Sequence, residues 1–428
     1  MEVRPLEGKS LLALRNPSAS IEAYEGAVRS GKTITSLLDW VRFTRQGPKG
    51  SLAMCGRTER TVINNLIIPL QEMMGKARVQ IKYGTGTVTV LGREISIYGA
   101  NNEQARTKIQ GLTLAGAYVD ECAELPQSFV QMLYSRLSVP GAKLWLTSNP
   151  GSPAHWLKTD WLDNAKLWID GAGRIIHNND PDAMELHLYT FLLDDNPSLT
   201  PEYVERTKRS YSGLFRRRYV NAEWVAADGA IFDGWNPDEH VVTYDDLPAM
   251  VRYLCVGADY GTRNASAATL IGIGDDGKLY AVDEFRYDSK AAERVLTEQE
   301  IAQRFNAWVI EHEKAGRRPE WVAIDPAALS FRVELGNLGR TNTMPANNDV
   351  LYGIRVMASL LATGNLKVSD RCSALIKEMP GYAWDSKESE KGVDKPIKVA
   401  DHSIDSFRYA LISTETLWRP YVDTPIGG

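Results

Sequence analysis

Apolar and charged residues alternate along Ile21-Glu22-Ala23-Tyr24-Glu25, as they do in a short strand. Beyond a glycine-rich turn, Ile34, Leu37, Leu38 and Val41 recur at helical spacing. Ser51-Leu52-Ala53-Met54-Cys55 then reads as a buried strand, and a helix runs from Val62 to Met74. Residues 79–98 alternate again (Val79, Ile81, Tyr83; Val88, Val90; Ile95, Ile97) around Gly84-Thr85-Gly86 and Gly92-Arg93. That pattern predicts strands joined by tight turns. Two more apolar strands, Leu114 to Val119 and Lys143 to Leu146, extend the series. Residues 1–20 read only as a short lead-in.

The pattern changes over 196–235, where Pro197, Pro201 and Gly213 punctuate short helical stretches. Asp228-Gly229, Asp233-Gly234 and the polar residues 236–246 mark a boundary. Beyond it, Tyr253 to Ala258, Ala267 to Gly272 and Leu279 to Phe285 read as three strands. The last two are joined across Asp275-Asp276-Gly277, a strong hairpin signal. A long amphipathic helix over roughly 291–314, a strand from Trp321 to Ile324 and a helix over 349–362 follow. A last helix is opened by Asp401 and runs through Tyr409, Ala410 and Leu411. The predicted organisation is a first domain over 1–195, a linker or lid over 196–240 and a second domain over 241–428.

The turn between the first strand and helix is Gly26-Ala27-Val28-Arg29-Ser30-Gly31-Lys32-Thr33, which fits the phosphate-loop pattern. Its glycines let backbone N–H groups close round a polyphosphate without a Cβ in the way. Lys32 is placed to reach the β- and γ-phosphates, and Thr33 to ligate Mg²⁺. The following helix turns its positive end towards the phosphates. Leu114-Ala115-Gly116-Ala117-Tyr118-Val119 runs into Asp120-Glu121, the acidic pair such a site requires: Asp120 for the Mg²⁺ shell, Glu121 to orient and deprotonate water. Solvated acids at a strand end are the plainer alternative. Thr147-Ser148-Asn149-Pro150 ends the next strand where a γ-phosphate sensor belongs, and it is equally a turn signal. These residues predict binding and hydrolysis of a nucleoside triphosphate, and no adenine-recognition motif stands upstream of Gly26.

In the second half the order of three hairpin strands, helix, strand and helices is that of a ribonuclease H-like fold. Its chemistry needs carboxylates on the first strand, the fourth strand and the last helix. Asp259, Asp325 and Asp401 fall there, with Asp405 one helical turn from Asp401 on the same face. Such a set predicts a pocket open to solvent that holds two divalent cations about 3.5–4 Å apart against a phosphodiester. All-oxygen ligands suit Mg²⁺ or Mn²⁺. Any one Asp is also an ordinary cap or turn residue, and Asp401 is well placed to cap the helix it opens.

Composition narrows this little. The 428 residues suffice for two or three domains, and 43% hydrophobic with 24% charged is ordinary for a soluble globular chain. No run approaches the ~18 apolar residues of a membrane span, and no signal peptide opens the chain. Cys55, Cys122, Cys255 and Cys372 are far apart, an expectation of a reducing cytoplasm and no structural zinc. A net charge of −5 neither announces nor excludes a nucleic-acid partner. Locally, Arg206, Lys208, Arg209, Arg216, Arg217 and Arg218 put six positive charges in thirteen residues. A solvated helix face, a lid over a nucleotide and a track for DNA phosphates all fit that run.

A phosphate-loop ATPase of the ASCE type with a mainly parallel sheet, followed by a ribonuclease H-like nuclease, resembles the large terminase subunit of tailed bacteriophages. The likeness rests on several motifs in order. Gly26 to Thr33 is similar to the family's Arg-containing phosphate loop, which implies a catalytic role for Arg29. Val119-Asp120-Glu121 is similar to its metal and catalytic-glutamate motif, and Thr147-Ser148-Asn149-Pro150 to its coupling motif. Asn196 to Tyr203 through Glu223-Trp224 resembles its linker. Gly257-Ala258-Asp259-Tyr260-Gly261, Ile324-Asp325-Pro326 and Asp401-His402-Ser403-Ile404-Asp405 through Tyr409 resemble its three nuclease motifs.

The resemblance implies a motor that pumps double-stranded DNA into a procapsid and a nuclease that cuts the concatemer. It implies a ring, usually of five, on the portal protein, helped by a small terminase subunit. The place of action would be the host cytoplasm, docked transiently on the procapsid and absent from the mature virion, with no membrane. An arginine acting on a neighbouring subunit is expected, with Arg106 and Arg136 as candidates. The competing functions are a DNA translocase or helicase whose second domain binds without cutting, and a capsid-assembly factor with vestigial sites.

Overall fold

The computed structural model describes residues 6–16, 19–82, 84, 86–261, 265–289, 292, 294, 296–399 and 401–422. Tyr83 of a predicted strand, Thr85 of the turn after it and several positions at the start of the helix predicted over 291–314 lie outside that set. The chain divides into two compact units. One comprises Met1–Val204, Leu214–Ala226 and Ser389–Val393, the other Glu205–Gly213, Ala227–Glu388 and Asp394–Gly428. The segment 196–240 is shared between them.

Among the described residues of the first unit, ten strands form one sheet. They are β1 (Ile21–Gly26), β2 (Ser51–Gly56), β3 (Val79–Lys82), β4 (Thr87–Val90), β5 (Arg93–Gly99), β6 (Leu114–Val119), β7 (Lys143–Ser148), β8 (Ala165–Ile169), β9 (Ile175–His177) and β10 (Met184–Phe191). Their order is β3-β4-β5-β2-β6-β7-β1-β10-β8-β9. Strands β5 to β8 in that order pair in parallel, and antiparallel strands extend both edges. Strand β7 lies between β6 and β1 and pairs with both. The ends of the phosphate-loop strand, the Asp-Glu strand and the strand between them therefore share one edge of the sheet, where ligands of open parallel sheets bind.

Apolar clusters cover both faces of this sheet, which explains a departure from the sequence reading of β1. Ile21 and Ala23 enter one core, Tyr24 the other, and all six residues of the strand are buried. The alternating glutamates therefore do not face water. Glu22 is 1% exposed, and its carboxyl accepts from Ala19 N–H (2.6 Å) and the Tyr189 hydroxyl (2.9 Å). Burial, reinforced by the nearby Asp39 charge, pushes its pKa up to about 8. Asp39, on the helix Lys32–Gln46, is bound by Trp145 Nε1 at 2.8 Å and ion-paired to Arg42. Trp40 of the same helix packs on Trp145 with ring centres 5.2 Å apart. These contacts seat the helix that follows the phosphate loop. A further helix, Gly8–Arg15, stands where the sequence showed only a lead-in, pinned by Lys9 Nζ against Asp195 Oδ2 at 2.6 Å.

The second unit carries β11 (Val241–Val242), β12 (Met250–Asp259), β13 (Ser266–Gly274), β14 (Leu279–Tyr287), β15 (Trp321–Ile324), β16 (Thr343–Pro345) and β17 (Leu366–Ser369). Their order is β11-β17-β14-β13-β12-β15-β16. β12, β13 and β14 form an antiparallel meander, and β15 joins β12 in parallel, the ribonuclease H-like arrangement. The long helix is Glu298–Lys314, shorter at its start than predicted because Thr297 and Glu300 close a capping box there. The last helix, His402–Ser413, lies hard against the sheet. A Cβ at Gly257 would fall 2.0 Å from Ser406 O, and one at Gly353, on the helix Val350–Ala362, 2.4 Å from Arg408 Cγ. Two glycines thus make the slot for this helix.

The raised Glu22 pKa gives a prediction. Its unfolded value is 4.5 and its folded value about 8, so the folded state holds the extra proton. Stability is therefore lost as pH rises through that window. Glu22→Gln should match the parent in thermal melting at pH 5 and exceed it by a few degrees at pH 9.

Candidate functional site

The first candidate site is built on the edge shared by β1, β7 and β6. Gly26 closes β1 at φ 137°, and a Cβ there would meet Phe191 O at 2.0 Å, so only glycine turns the chain here. Ala27 N–H and Val28 N–H donate to Phe191 O (2.8 Å) and Tyr219 O (2.9 Å). Those two predicted contacts to phosphate are thus committed to the scaffold. The N–H groups that open the helix Lys32–Gln46 have no intrahelical acceptors. Arg29 and Gly31 both take positive φ (55° and 87°), and the Arg29 carbonyl accepts from Asn196 Nδ2 at 2.7 Å. The Ser30 hydroxyl is buried without a hydrogen bond.

Lys32 Nζ donates to Ala27 O (3.0 Å) and Asn149 Oδ1 (2.7 Å). Burial pushes its pKa down to about 8 against the charges of Glu121 and Asp120, which hold it up. The predicted loop lysine, acidic pair and strand-end asparagine are therefore in one place. Asp120 is 5% exposed. Its Oδ1 accepts from Thr147 Oγ1 at 2.7 Å and its Oδ2 from Asn65 Nδ2 at 3.0 Å. Burial raises its pKa, opposed by these two hydrogen bonds. Glu121 sits in the left-handed region (φ 50°, ψ 51°), uncommon for a non-glycine residue, and its N–H donates to Thr147 Oγ1 at 3.1 Å. Thr147, read from sequence as sensor or turn, is a bridge between the two acids. Ser148 closes β7 with its hydroxyl on Asn149 O. Asn65 was not singled out in the sequence. Arg106 lies in the exposed turn Glu103–Ile109, and Arg136 donates to Gln110 O at 3.0 Å.

The second candidate site forms at the ends of β12 and β15. The parallel register pairs Ala258 with Ile324, and Asp325 N–H donates to Ala258 O at 3.1 Å, so Asp259 and Asp325 emerge side by side. The start of the helix His402–Ser413 is brought to them by His402 Nδ1, 2.7 Å from Asp259 Oδ2. Burial raises the Asp259 pKa, with the charges of Asp405 and Asp325 adding to it. The Tyr409 hydroxyl is likewise pushed up, by burial and by the charges of Asp405, Asp325 and Asp259. These charges share one neighbourhood.

Each carboxylate nevertheless has a local partner. Lys398 Nζ lies 3.1 Å from Asp401 Oδ2 and 2.8 Å from Asp405 Oδ2. Arg408 Nη2 is 2.8 Å from Asp405 Oδ1, and Asp325 Oδ1 accepts from Ala327 N–H at 2.9 Å. Among the described residues no group of three or more His, Cys, Asp or Glu side chains is gathered as a metal cage. Asp401 and Asp405 are each 5% exposed, not open to solvent as expected. Nor does Asp401 cap its helix, the plain alternative for that residue. Glu378 Oε2 takes that part, accepting from Ser403 N–H (2.8 Å) and Ile404 N–H (3.1 Å). Asp401 Oδ2 is left buried with no hydrogen bond of proper geometry. The charge beside it is the Lys398 ammonium at 3.1 Å. His402 stood inside the third motif without a role assigned to it, and Lys398 and Glu378 carried no motif; only the fold shows what they touch.

Residues 23–236 match the family model for the N-terminal part of the terminase large subunit, T4likevirus-type. The large terminase of a thermophilic bacteriophage superposes with a TM-score of 0.85 at 33% identity, covering 97% of this chain and 100% of that one. Its structure in complex with ADP superposes at 0.83, covering 94% and 97%, and that with ATP-gamma-S at 0.83, covering 96% and 99%. The large terminase subunit of Escherichia phage T5 is 29% identical over 230 residues, 51% of this chain. The match spans half the length of that curated relative.

A polyphosphate seated on Lys32 should restore its charge. With the free pKa near 8, binding at pH 8.5 must take up more protons than binding at pH 7, and affinity must fall as pH rises through 8. Calorimetry with ATPγS in two buffers of different ionisation enthalpy measures that uptake directly.

Proposed function

Because the chain belongs to the large terminase family, we propose that it is the ATP-driven motor that moves double-stranded viral DNA into a procapsid and cuts the concatemer. The observation that carries this reading is that one likeness spans both units: a nucleotide-binding large terminase matches the chain from end to end. Partners of the same reading are the portal protein, a small terminase subunit and further copies of this chain in a ring of five. The place of action is the host cell. Among the described residues no helix is long and apolar enough to cross a membrane.

In the first unit, Lys32 and the N–H groups of the following turn hold the phosphates. Thr33 and Asp120 are the residues to hold Mg²⁺, which supplies charge neutralisation between the phosphate oxygens when bound. Asn149 keeps Lys32 in register with the acids until a phosphate takes its place. Glu121, kinked by its left-handed backbone and tied to Thr147, accepts the proton of the attacking water. Arg29, exposed at the loop apex, adds positive charge on the same side, and Arg106 or Arg136 serves the neighbouring subunit.

In the second unit, Asp259, Asp325, Asp401 and Asp405 would hold Mg²⁺ or Mn²⁺, which would supply charge stabilisation to a phosphodiester under attack. Lys398 and His402 neutralise three of these carboxylates, and both side chains have to swing away before the oxygens are free. That pairing also favours a second reading, a translocase whose second unit binds DNA without cutting it.

Plasmid digestion with Mn²⁺ separates the two. On the cutting reading, Lys32→Ala abolishes ATP turnover and leaves digestion intact, whereas Asp325→Ala does the reverse. Absence of any cutting by the parent chain would leave the binding-only reading standing. Lys398→Gln should lower the Mn²⁺ concentration for half-maximal digestion several-fold with ATP turnover unchanged, since it removes the cation that competes for Asp401 and Asp405.

A further inference from the structure

The loop lysine, the acids and Thr147 leave unexplained one residue that touches Asp120 from the other side. The run after β2 begins at Thr58, which caps it with Thr61, and continues through Glu59–Val62, a π-turn over Ile63–Ile67 and the helix Ile68–Met74. A single π-turn within a helix is uncommon and tends to mark a functional position. Its cause here is visible in the sequence. Pro69 has no N–H to give the carbonyl of Asn65, four residues earlier, and its ring crowds that carbonyl. The helix widens just before it, with Ile68 N–H bonded to Ile63 O. The start of the run cannot shift to compensate: a Cβ at Gly99 would already lie 2.9 Å from Glu59 N, so β5 holds the first turn close.

The widened turn delivers Asn65 Nδ2 to Asp120 Oδ2 at 3.0 Å, while Thr147 holds Oδ1 at 2.7 Å. Asn65 follows β2 and Thr147 lies on β7, the two strands that flank β6, and each donor takes one oxygen of the carboxylate. Two hydrogen bonds on different oxygens fix the plane of the group. Thr147 alone would leave the second oxygen buried and free to rotate away.

We propose that Asn65 is a positioning residue of the nucleotide site, presented by the Pro69 π-turn to hold Asp120 oriented for the divalent cation that accompanies ATP. The proposal rests on the ATPase reading and adds to it a residue outside the loop, the acidic pair and the coupling strand. Asparagine suits the part because its amide donates without bringing a charge. Aspartate would put a second anion on Asp120, and alanine would leave Oδ2 unsatisfied.

The test uses the full chain, with ATP turnover followed against Mg²⁺ concentration and with ATPγS affinity measured by calorimetry in the absence of Mg²⁺. Asn65→Ala should raise the Mg²⁺ needed for half-maximal turnover and lower kcat, each roughly tenfold, the loss of one hydrogen bond to a charged group. Metal-free nucleotide affinity should stay within about twofold, since Lys32 and the loop N–H groups are untouched. Asn65→Asp should raise the Mg²⁺ requirement at least as far, again with metal-free affinity kept, a split that a merely structural role would not produce. An Mg²⁺ requirement unchanged in both variants, or lost metal-free affinity alongside a lowered melting temperature, overturns the assignment. A parent chain that turns over no ATP would instead strike the ATPase reading itself, so the two failures are distinct.

Discussion

One buried hydroxyl organises the first unit. Thr147 Oγ1 donates to Asp120 and accepts from the main chain of Glu121, so a single atom sets the carboxylate of one acid and the backbone of the next. Tyr118 of the Asp-Glu strand joins Ser36 of the helix after the phosphate loop, hydroxyl to hydroxyl at 2.7 Å, and Lys32 of the loop donates to Asn149 at the end of β7 at 2.7 Å. Loop, acids and the strand between them thus form one hydrogen-bonded body. The body is buried, where such networks are stiff because an unpaired member is costly. The parallel register of β6, β7 and β1 makes it possible, since it places three strand ends together that lie far apart in sequence.

The elements that read clearly from the sequence were those whose information is local. The phosphate loop needs glycines at fixed offsets, the hairpins announce their turns, and the apolar strands end where the acids begin. The order of β12 to β15 followed from the same signals. What escaped was set by contacts between distant segments. Glu378 caps a helix 24 residues later, and no local pattern joins it to Ser403; Asp401, the natural local candidate, was displaced from that role. The burial of Glu22 depends on helices covering both sheet faces, which alternation within five residues does not reveal. Asn65 had a signal after all, in the proline four residues on, but the apolar spacing from Val62 to Met74 masked it.

In the second unit the controlling constraint is clearance. Gly257 and Gly353 leave room for the helix His402–Ser413 to lie directly on β12, and that closeness brings His402 to Asp259. A larger side chain at either glycine would tilt the helix and part its acids from those on the strands. The local cations matter for a second reason. Four carboxylates packed without them would repel one another, so Lys398, His402 and Arg408 keep the anionic corner folded.

The π-turn has a consequence for inheritance. It stores one surplus residue in a run anchored by β5 at its start and by the core at its end. Loss of one residue between Thr58 and Leu70 would restore regular winding. Everything on the near side would then turn by about 100° about the axis. The amide of Asn65 would swing off Asp120 while the apolar face of the far half stayed in place. The run therefore works as a ruler, tolerant of changes in its exposed side chains and intolerant of any change in its length. Among relatives that keep the proline, insertions and deletions should be confined to the loops on either side.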